Sequence, residues 1–379
     1  MRRRPKRLER LPEQYFVSLL GRIAEAAAQE GPPLLDLGRG NPEVGPPPHV
    51  IEALREGALD PAAHGYPPIR GLARTKEAIA ARYRDVYGVE LDPEREVALV
   101  PSAKSVLAEL ALSLCEEGDT LLLPDPYYPD YPSGLALAGA RMETVPLRPD
   151  HGWSPDLDGA SDAAALYLNY PSNPCAVCAP SGVFDAAVRW SRRTGGAVVH
   201  DAAYIDLVFD GRRPASFLAA AGARDAGVEV FSMSKTYGMA GWRIGFVVGN
   251  AEIVERVNLF NDHTRTGMFA PLQAATVAAL EGPQDSVAER VAAYERRRDL
   301  LASVLPESPV CEGTFFVWVQ LPEGLTAERL LMQERVAVAP GEGFGPSGAG
   351  WVRLSLAVTD ETIERASERL ARAFAGVTA

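Results

Sequence analysis

Val228-Glu-Val-Phe-Ser-Met-Ser-Lys-Thr-Tyr-Gly-Met-Ala-Gly-Trp-Arg-Ile-Gly-Phe-Val-Val248 is the stretch that decides how this chain is read. Its two ends, Val228–Phe231 and Ile244–Val248, have the length and the Val and Phe content of buried strands. Between them lie Ser232-x-Ser234-Lys235 and, just before the second strand, Arg243. In an open α/β sheet, ligands bind beyond the carboxyl ends of strands. A lysine there is notable because the chain has only four: Lys6, Lys76, Lys104 and Lys235, against 34 arginines. Arginine replaces lysine where charge suffices, but not where a primary amine must form an imine. Lys6 falls in a solvated basic terminus, and Lys76 is expected on an exposed helix face. Lys104 and Lys235 remain as candidates.

Further short apolar runs extend outward from this stretch: Val97–Val100, Thr120–Leu123, Ala164–Leu168 and Ala197–His200. Segments such as Ser105–Cys115 and Val183–Arg193 fit crossover helices between them. The alternation predicts an α/β domain with a largely parallel sheet. From Pro283 the pattern changes: a long helix over Ser286–Leu305, a strand at Phe315–Gln320, a helix at Ala327–Glu334, a strand at Val352–Leu356 and a last helix from Asp360 to about Phe374. The expected division is an N-terminal arm with part of a small domain at 1–45, a large domain at 46–282 and a small α+β domain at 283–379.

Each strand end carries polar residues. After Val100 comes Ser102-Ala103-Lys104 at a helix start, where small residues leave amide N–H groups open to an anion. After Leu123 comes a Tyr-rich run with Tyr128, a source of a flat ring. After Leu168 comes Asn169-Tyr-Pro-Ser-Asn173-Pro, and after His200 come Asp201 and Tyr204. Any one of these has an ordinary structural use, since an Asp after a strand caps a turn and Asn-Pro pairs make turns. Gathered at successive strand ends, they suit one shared ligand. Gly38-Arg-Gly40 lacks the third glycine of G-x-G-x-x-G, and no G-x-x-x-x-G-K-[ST] occurs, so no dinucleotide or P-loop site is expected. The set comprises a phosphate cup, a stacking ring, a carboxylate, two groups for a phenolate oxygen and an imine-forming lysine. It matches pyridoxal 5′-phosphate (PLP).

These motifs resemble the class I/II PLP-dependent aminotransferases of fold type I, the aspartate aminotransferase superfamily, nearest in look to the diaminopimelate- and alanine-type branch. The likeness runs from about Leu8 to the last helix. The resemblance implies a large domain with a mostly parallel seven-stranded sheet and a smaller α+β domain. It implies Lys235 as the Schiff-base lysine, with Ser232, Ser234 and Arg243 as phosphate ligands beside Ser102, Ala103 and Lys104. Tyr128 falls where a ring stacks on the cofactor, Asp201 where the pyridine nitrogen is paired, and Asn173 and Tyr204 where the phenolate oxygen is held. Asp36-Leu-Gly-Arg39-Gly40-Asn-Pro matches the substrate loop, and Arg353 in Val352-Arg-Leu-Ser-Leu matches the arginine that grips the α-carboxylate. Tyr66 in Gly65-Tyr-Pro-Pro-Ile-Arg-Gly71 matches a tyrosine reaching the neighbouring subunit's cofactor, which implies a homodimer with shared active sites. The implied activity moves an amino group between an L-amino acid and a 2-oxo acid. A lyase or synthase of the same fold, eliminating or replacing at Cβ or Cγ or acting on S-adenosylmethionine, uses the same cofactor residues and is the alternative.

The chain departs from the family at Asn173-Pro-Cys175-Ala176, where Asn-Pro-Thr-Gly is usual, and at Ser102-Ala103, where glycine is usual. Arg39 and the charged run Asn261-Asp-His-Thr-Arg265-Thr predict a substrate with a polar or charged distal end. Fifty acidic residues against 38 basic give a net charge of −12, which argues against general nucleic-acid binding. No apolar run nears the roughly 18 residues of a membrane span. The basic start, Met1-Arg-Arg-Arg-Pro-Lys-Arg7, runs into Leu8-Glu-Arg-Leu-Pro and not into an apolar stretch, so a cytoplasmic chain is expected. Cys175-x-x-Cys178 has no second pair or His spaced for zinc, so no metal site is expected and the thiols read as reduced.

Overall fold

Twelve strands are present among residues 4–305 and 311–378, which the computed structural model describes; Met1–Arg3 of the basic start lie outside them. They are β1 (Leu35–Asp36), β2 (Val97–Val100), β3 (Thr120–Asp125), β4 (Arg141–Pro146), β5 (Ala165–Asn169), β6 (Ala197–Asp201), β7 (Gly227–Ser232), β8 (Gly245–Gly249), β9 (Phe316–Gln320), β10 (Val336–Ala337), β11 (Ala339–Pro340) and β12 (Trp351–Ser355). Seven form one sheet in the order β2-β8-β7-β6-β5-β3-β4. Its pairs from β7 through β4 are parallel, and β8 alone runs antiparallel to both neighbours. Every residue of β2, β3, β5, β7 and β8 is buried, as expected of strands covered by helices on both faces.

The six apolar runs are all strands of this sheet. The seventh strand, β4, has no counterpart among them, and the reason is physical. It is an edge strand in which only Val145 is buried, so it has no apolar run. Helix bounds differ from expectation by a few residues: Ala103–Leu114, Val183–Thr194 and Asp285–Ala302 stand where helices are expected. Ala103–Leu114 starts early because Ser102 caps it, its Oγ accepting from the Ser105 N–H at 3.1 Å.

β11, β12 and β9 form a second, antiparallel sheet, with the helices Asp285–Ala302 and Asp360–Thr378 beside it. Leu301, Phe315, Val317, Leu354, Ile363 and Leu370 share its buried core. β1 pairs in parallel with β10, Leu35 opposite Val336, and so ties an N-terminal segment to a C-terminal one.

Lys76 corrects its expectation. It is 5% exposed, because its helix Ala73–Arg82 packs against the helix Ala270–Glu281, and its amine reaches Glu94 at 3.0 Å. The four cysteines are free thiols. Burial pushes the Cys178 thiol up to about 12 and Cys115 up to about 11, so neither is a thiolate near neutral pH. No described helix is long and apolar enough to cross a membrane.

Candidate active site

The carboxyl ends of β5, β6 and β7 open onto a cavity of about 360 Å³, closed from the other side by the Gly38–Asn41 loop and by Arg353 of β12. Asp201, the last residue of β6, is 5% exposed. Its Oδ2 accepts from the Tyr131 hydroxyl at 2.8 Å and its Oδ1 from the Ala203 N–H at 3.2 Å. Asn169, at the end of β5, donates to its backbone carbonyl at 2.8 Å. Burial raises the carboxyl's pKa and the Tyr131 bond opposes this. The carboxylate is thus fixed in orientation while keeping lone pairs for a donor in the cavity.

Lys235 lies on the connection between the antiparallel neighbours β7 and β8, in a single helical turn, Met233–Thr236, started by the Ser232 hydroxyl. Its Nζ donates to the Gly40 carbonyl at 3.1 Å and sits 5.2 Å from the Phe315 ring centre and 5.9 Å from that of Tyr204. Burial, then the cations Arg353 and Arg243, bring its pKa down to about 8, against the opposing pull of Asp201. About one amine in ten is then neutral at pH 7, far above the fraction for a solvated lysine.

Arg353 is 1% exposed, yet its hydrogen-bond acceptors are neutral. Nη1 donates to Asn173 Oδ1 at 2.7 Å and Nη2 to the Gly38 carbonyl at 3.2 Å, while buried Nε has no partner. The guanidinium lies 3.8 Å from the Phe316 ring centre and 4.8 Å from that of Phe344. Burial lowers its pKa to about 10. A buried guanidinium with no carboxylate against it is costly on its own and is suited to binding a carboxylate through its planar fork. Asn173 is held by its own N–H, which donates to Asn169 Oδ1 at 2.6 Å. With Oδ1 accepting from Arg353, its side-chain NH₂ remains as a donor.

At the opposite end, Ala103, Lys104, Ser232, Ser234 and Arg243 line the wall. Arg243 holds a left-handed φ of +55°, a strained conformation for a non-glycine residue, with Nη1 donating to the Ala240 carbonyl at 2.6 Å. Helix-start amides, hydroxyls and a guanidinium together make an anion cradle. Ser102 does not border the cavity, since its hydroxyl caps the helix. Lys104 reaches Asp130 at 2.8 Å. Tyr128 and Tyr204 line the cavity, and burial raises the pKa of both hydroxyls, which stay protonated as donors.

The residues that sequence reasoning misses are mostly apolar. Phe16, Leu19 and Leu20, from the helix Tyr15–Ala27, border the cavity, as does Phe316. Two bonds seat that helix over the opening, Tyr15 OH to the Pro340 carbonyl at 2.7 Å and Gln14 Nε2 to Asp130 Oδ1 at 2.6 Å. The apolar spacing i, i+3, i+4 is visible in the sequence, but nothing local says what such a face covers. Tyr131, three residues beyond Tyr128, belongs to no motif, and only the fold brings it to Asp201. Arg39 borders the cavity with its side chain 58% exposed, its Nε 2.5 Å from Asp36. Tyr66 is 89% exposed and stands apart from this chain's cavity. Asp262 pairs with Arg70 at 2.6 Å and Arg265 pairs with Glu109, and neither borders the cavity. The charged run, expected to reach a neighbouring subunit's site, thus lies away from this chain's own cavity, with Asp262 and Arg265 held in ion pairs.

Residues 32–370 match the family described as Aminotransferase class I and II. The chain is 43% identical over 380 residues to the L-glutamine–4-(methylsulfanyl)-2-oxobutanoate aminotransferase of Bacillus subtilis, covering 96% of this chain and 95% of that protein. It is 38% identical to an LL-diaminopimelate aminotransferase of Dehalococcoides mccartyi, covering 97% of each. Substrate-bound BacF from Bacillus subtilis superposes with a TM-score of 0.92 at 36% identity, covering 98% of each chain. The sheet order, the strand-end lysine and the match over most of the chain's length agree, and the named relatives are aminotransferases and not lyases: this chain belongs to the class I and II aminotransferases, with their fold type I architecture.

Proposed function

We propose that this chain carries out amino-group transfer with PLP held at Lys235, on an amino acid whose side chain is apolar or weakly polar. The carrying observation is the convergence of a depressed-pKa amine, a buried carboxylate and an uncompensated buried guanidinium on one cavity. The donor set fits the cofactor: an anion cradle at one end, Asp201 as acceptor for a ring N–H, and the hydroxyl of Tyr204 with the amide of Asn173 for a ring oxygen. When bound, PLP supplies an aldehyde carbon to take the amino group and a ring that accepts electrons from the substrate Cα. Lys235 Nζ, once free, would be the base that takes the proton from the substrate Cα. Arg353 binds the α-carboxylate and Asn173 orients Arg353. Phe16, Leu19 and Leu20 keep bulk water from the reacting atoms.

With Arg353 taken up by the α-carboxylate and Arg39 paired with Asp36, no further described lining residue outside the anion cradle offers a cation to a distal carboxylate. The apolar lining open to a substrate side chain includes Phe16, Leu19, Leu20 and Leu107. We favour this over the sequence expectation of a polar or charged distal group because of the apolar lining and the similarity to the methylsulfanyl-oxobutanoate enzyme. A panel of 2-oxo acids with glutamine or alanine as donor tests it. Methylsulfanyl- and phenyl-bearing acceptors are expected to give kcat/KM about tenfold or more above oxaloacetate, since burying two or more CH₂ groups is worth roughly 1.5 kcal/mol. A preference for oxaloacetate refutes the apolar reading.

The functional unit we propose is a homodimer. Tyr66, Leu59 and Phe269 are 89%, 70% and 44% exposed, and the ring of His64, near Tyr66 in sequence, lies 6.1 Å from that of Phe269. Such an apolar surface suits a second copy, to whose site Tyr66 is donated. Sedimentation that finds a fully active monomer overturns this.

A further inference from the structure

Outside the cavity lining lies a second buried cluster, centred on Asp206 and joined to the turn that bears Lys235. Asp206 and Arg82 are each 5% exposed in their side chains and pair at 2.8 Å. Asp206 Oδ1 accepts from the Tyr87 hydroxyl at 2.7 Å, and Oδ2 accepts from the Thr236 hydroxyl at 3.0 Å. The Arg82 guanidinium is packed among the rings of Tyr87, Phe231 and Tyr237, at 5.7 to 5.9 Å. Arg82 neutralises the carboxylate, and three donors occupy most of its lone pairs.

Two of these residues are placed for function. Thr236 follows Lys235, and Asp206 stands two residues after Tyr204. The turn carrying Lys235 has only four residues, too few to hold its own shape, so outside contacts must fix it. On the cavity side the Lys235 amine reaches the Gly40 carbonyl. On the far side Thr236 is 1% exposed, and its hydroxyl bonds outward to Asp206 instead of back to the preceding turn.

We propose that Asp206 is a positioning residue, which through the Thr236 hydroxyl sets where the Lys235 amine stands relative to Tyr204. The bond links the turn that bears the amine to the turn that bears the phenol, so both shift together or not at all. The proposal rests on the reading of Lys235 as the cofactor-bearing amine. Borohydride trapping and peptide mapping of the wild-type holoenzyme test that reading separately, since a pyridoxyl label at another lysine defeats it whatever happens at Thr236.

Thr236→Val keeps the shape and removes the hydroxyl; Thr236→Ser keeps the hydroxyl. In the holoenzyme, Thr236→Val is expected to lower kcat about tenfold, roughly 1.4 kcal/mol in the barrier, with KM for the amino donor changed less than about twofold. In the cofactor-free protein, competitive labelling of Lys235 against pH is expected to show a displaced midpoint in Thr236→Val. Thr236→Ser restores both to near wild type. If Thr236→Val does not fold, Thr236→Ala against Thr236→Ser makes the same comparison. Wild-type kcat and labelling midpoint in the variant lacking the hydroxyl overturn the proposal, and so does a defect that Ser fails to restore.

Discussion

Replacing Lys235 by Met is expected to stabilise the cofactor-free protein at neutral pH and to do so less as pH rises. The folded-state pKa of about 8 lies below the ordinary 10.5, so folding opposes protonation of this amine. At about 1.4 kcal/mol per pH unit, that gap corresponds to about 3 kcal/mol held against the fold below pH 8. Water in the cavity and the lost bond to the Gly40 carbonyl reduce the expected net gain to about 2 kcal/mol. The sign is set by proton counting. Between about 8 and 10.5 the unfolded chain binds the proton and the folded chain does not, so wild-type stability rises with pH across that window. The methionine of the variant carries no such proton, so its advantage should disappear by about pH 10.5, where the lost bond to the Gly40 carbonyl leaves it equal to or slightly less stable than wild type. Urea unfolding of the cofactor-free proteins, followed by tryptophan fluorescence at several pH values across the window, measures this. A variant less stable than wild type at pH 7, or a difference that does not change with pH, refutes the reasoning.

Four further outcomes are expected. Arg353→Lys should lower kcat/KM about a hundredfold for every amino donor, because a charge-assisted bidentate contact of about 3 kcal/mol becomes a single point contact; equal losses for a donor lacking the α-carboxylate would contradict the assignment. Gly40→Ala places a Cβ 2.8 Å from Cζ of Phe316, the ring under Arg353, so steady-state kinetics should show about a tenfold loss in kcat/KM as the ring shifts, and unchanged kinetics would remove Phe316 from the account. Asp201→Asn should nearly abolish turnover while the cofactor still binds, as judged by absorbance after gel filtration. Tyr131→Phe, which removes one donor to the same carboxylate, should lower kcat only several-fold, and a loss as large as that of Asp201→Asn would give the hydroxyl a direct chemical role.

The fold and the polar half of the site are legible in the amino-acid sequence, and the reason is local chemistry. Buried strands of a parallel sheet need continuous apolar runs, and ligand-binding groups follow those runs at their carboxyl ends. Asn173, Asp201 and Lys235 therefore stand just beyond the runs that end at Leu168, His200 and Phe231, and scarcity of lysine narrows the amine to Lys104 or Lys235, between which the family motif chooses. Arg353 is legible only through its likeness to a family motif, because nothing near Val352–Leu356 says that its guanidinium is buried without a carboxylate. Tertiary structure alone decides the rest. Edge strand β4, with one buried side chain, carries no apolar signature. Phe16, Leu19 and Leu20 look like any amphipathic helix face until Tyr15 and Gln14 seat that helix over the cavity. Charges are the least legible, because a side chain's charge is written in the sequence but its partner is not: Arg39, Lys104, Asp262 and Arg265 look free along the chain, and folding pairs each of them. The depressed pKa of Lys235 belongs to the same class, since it arises from burial and from Arg353, which is 118 residues away along the chain and meets the amine only in the folded cavity.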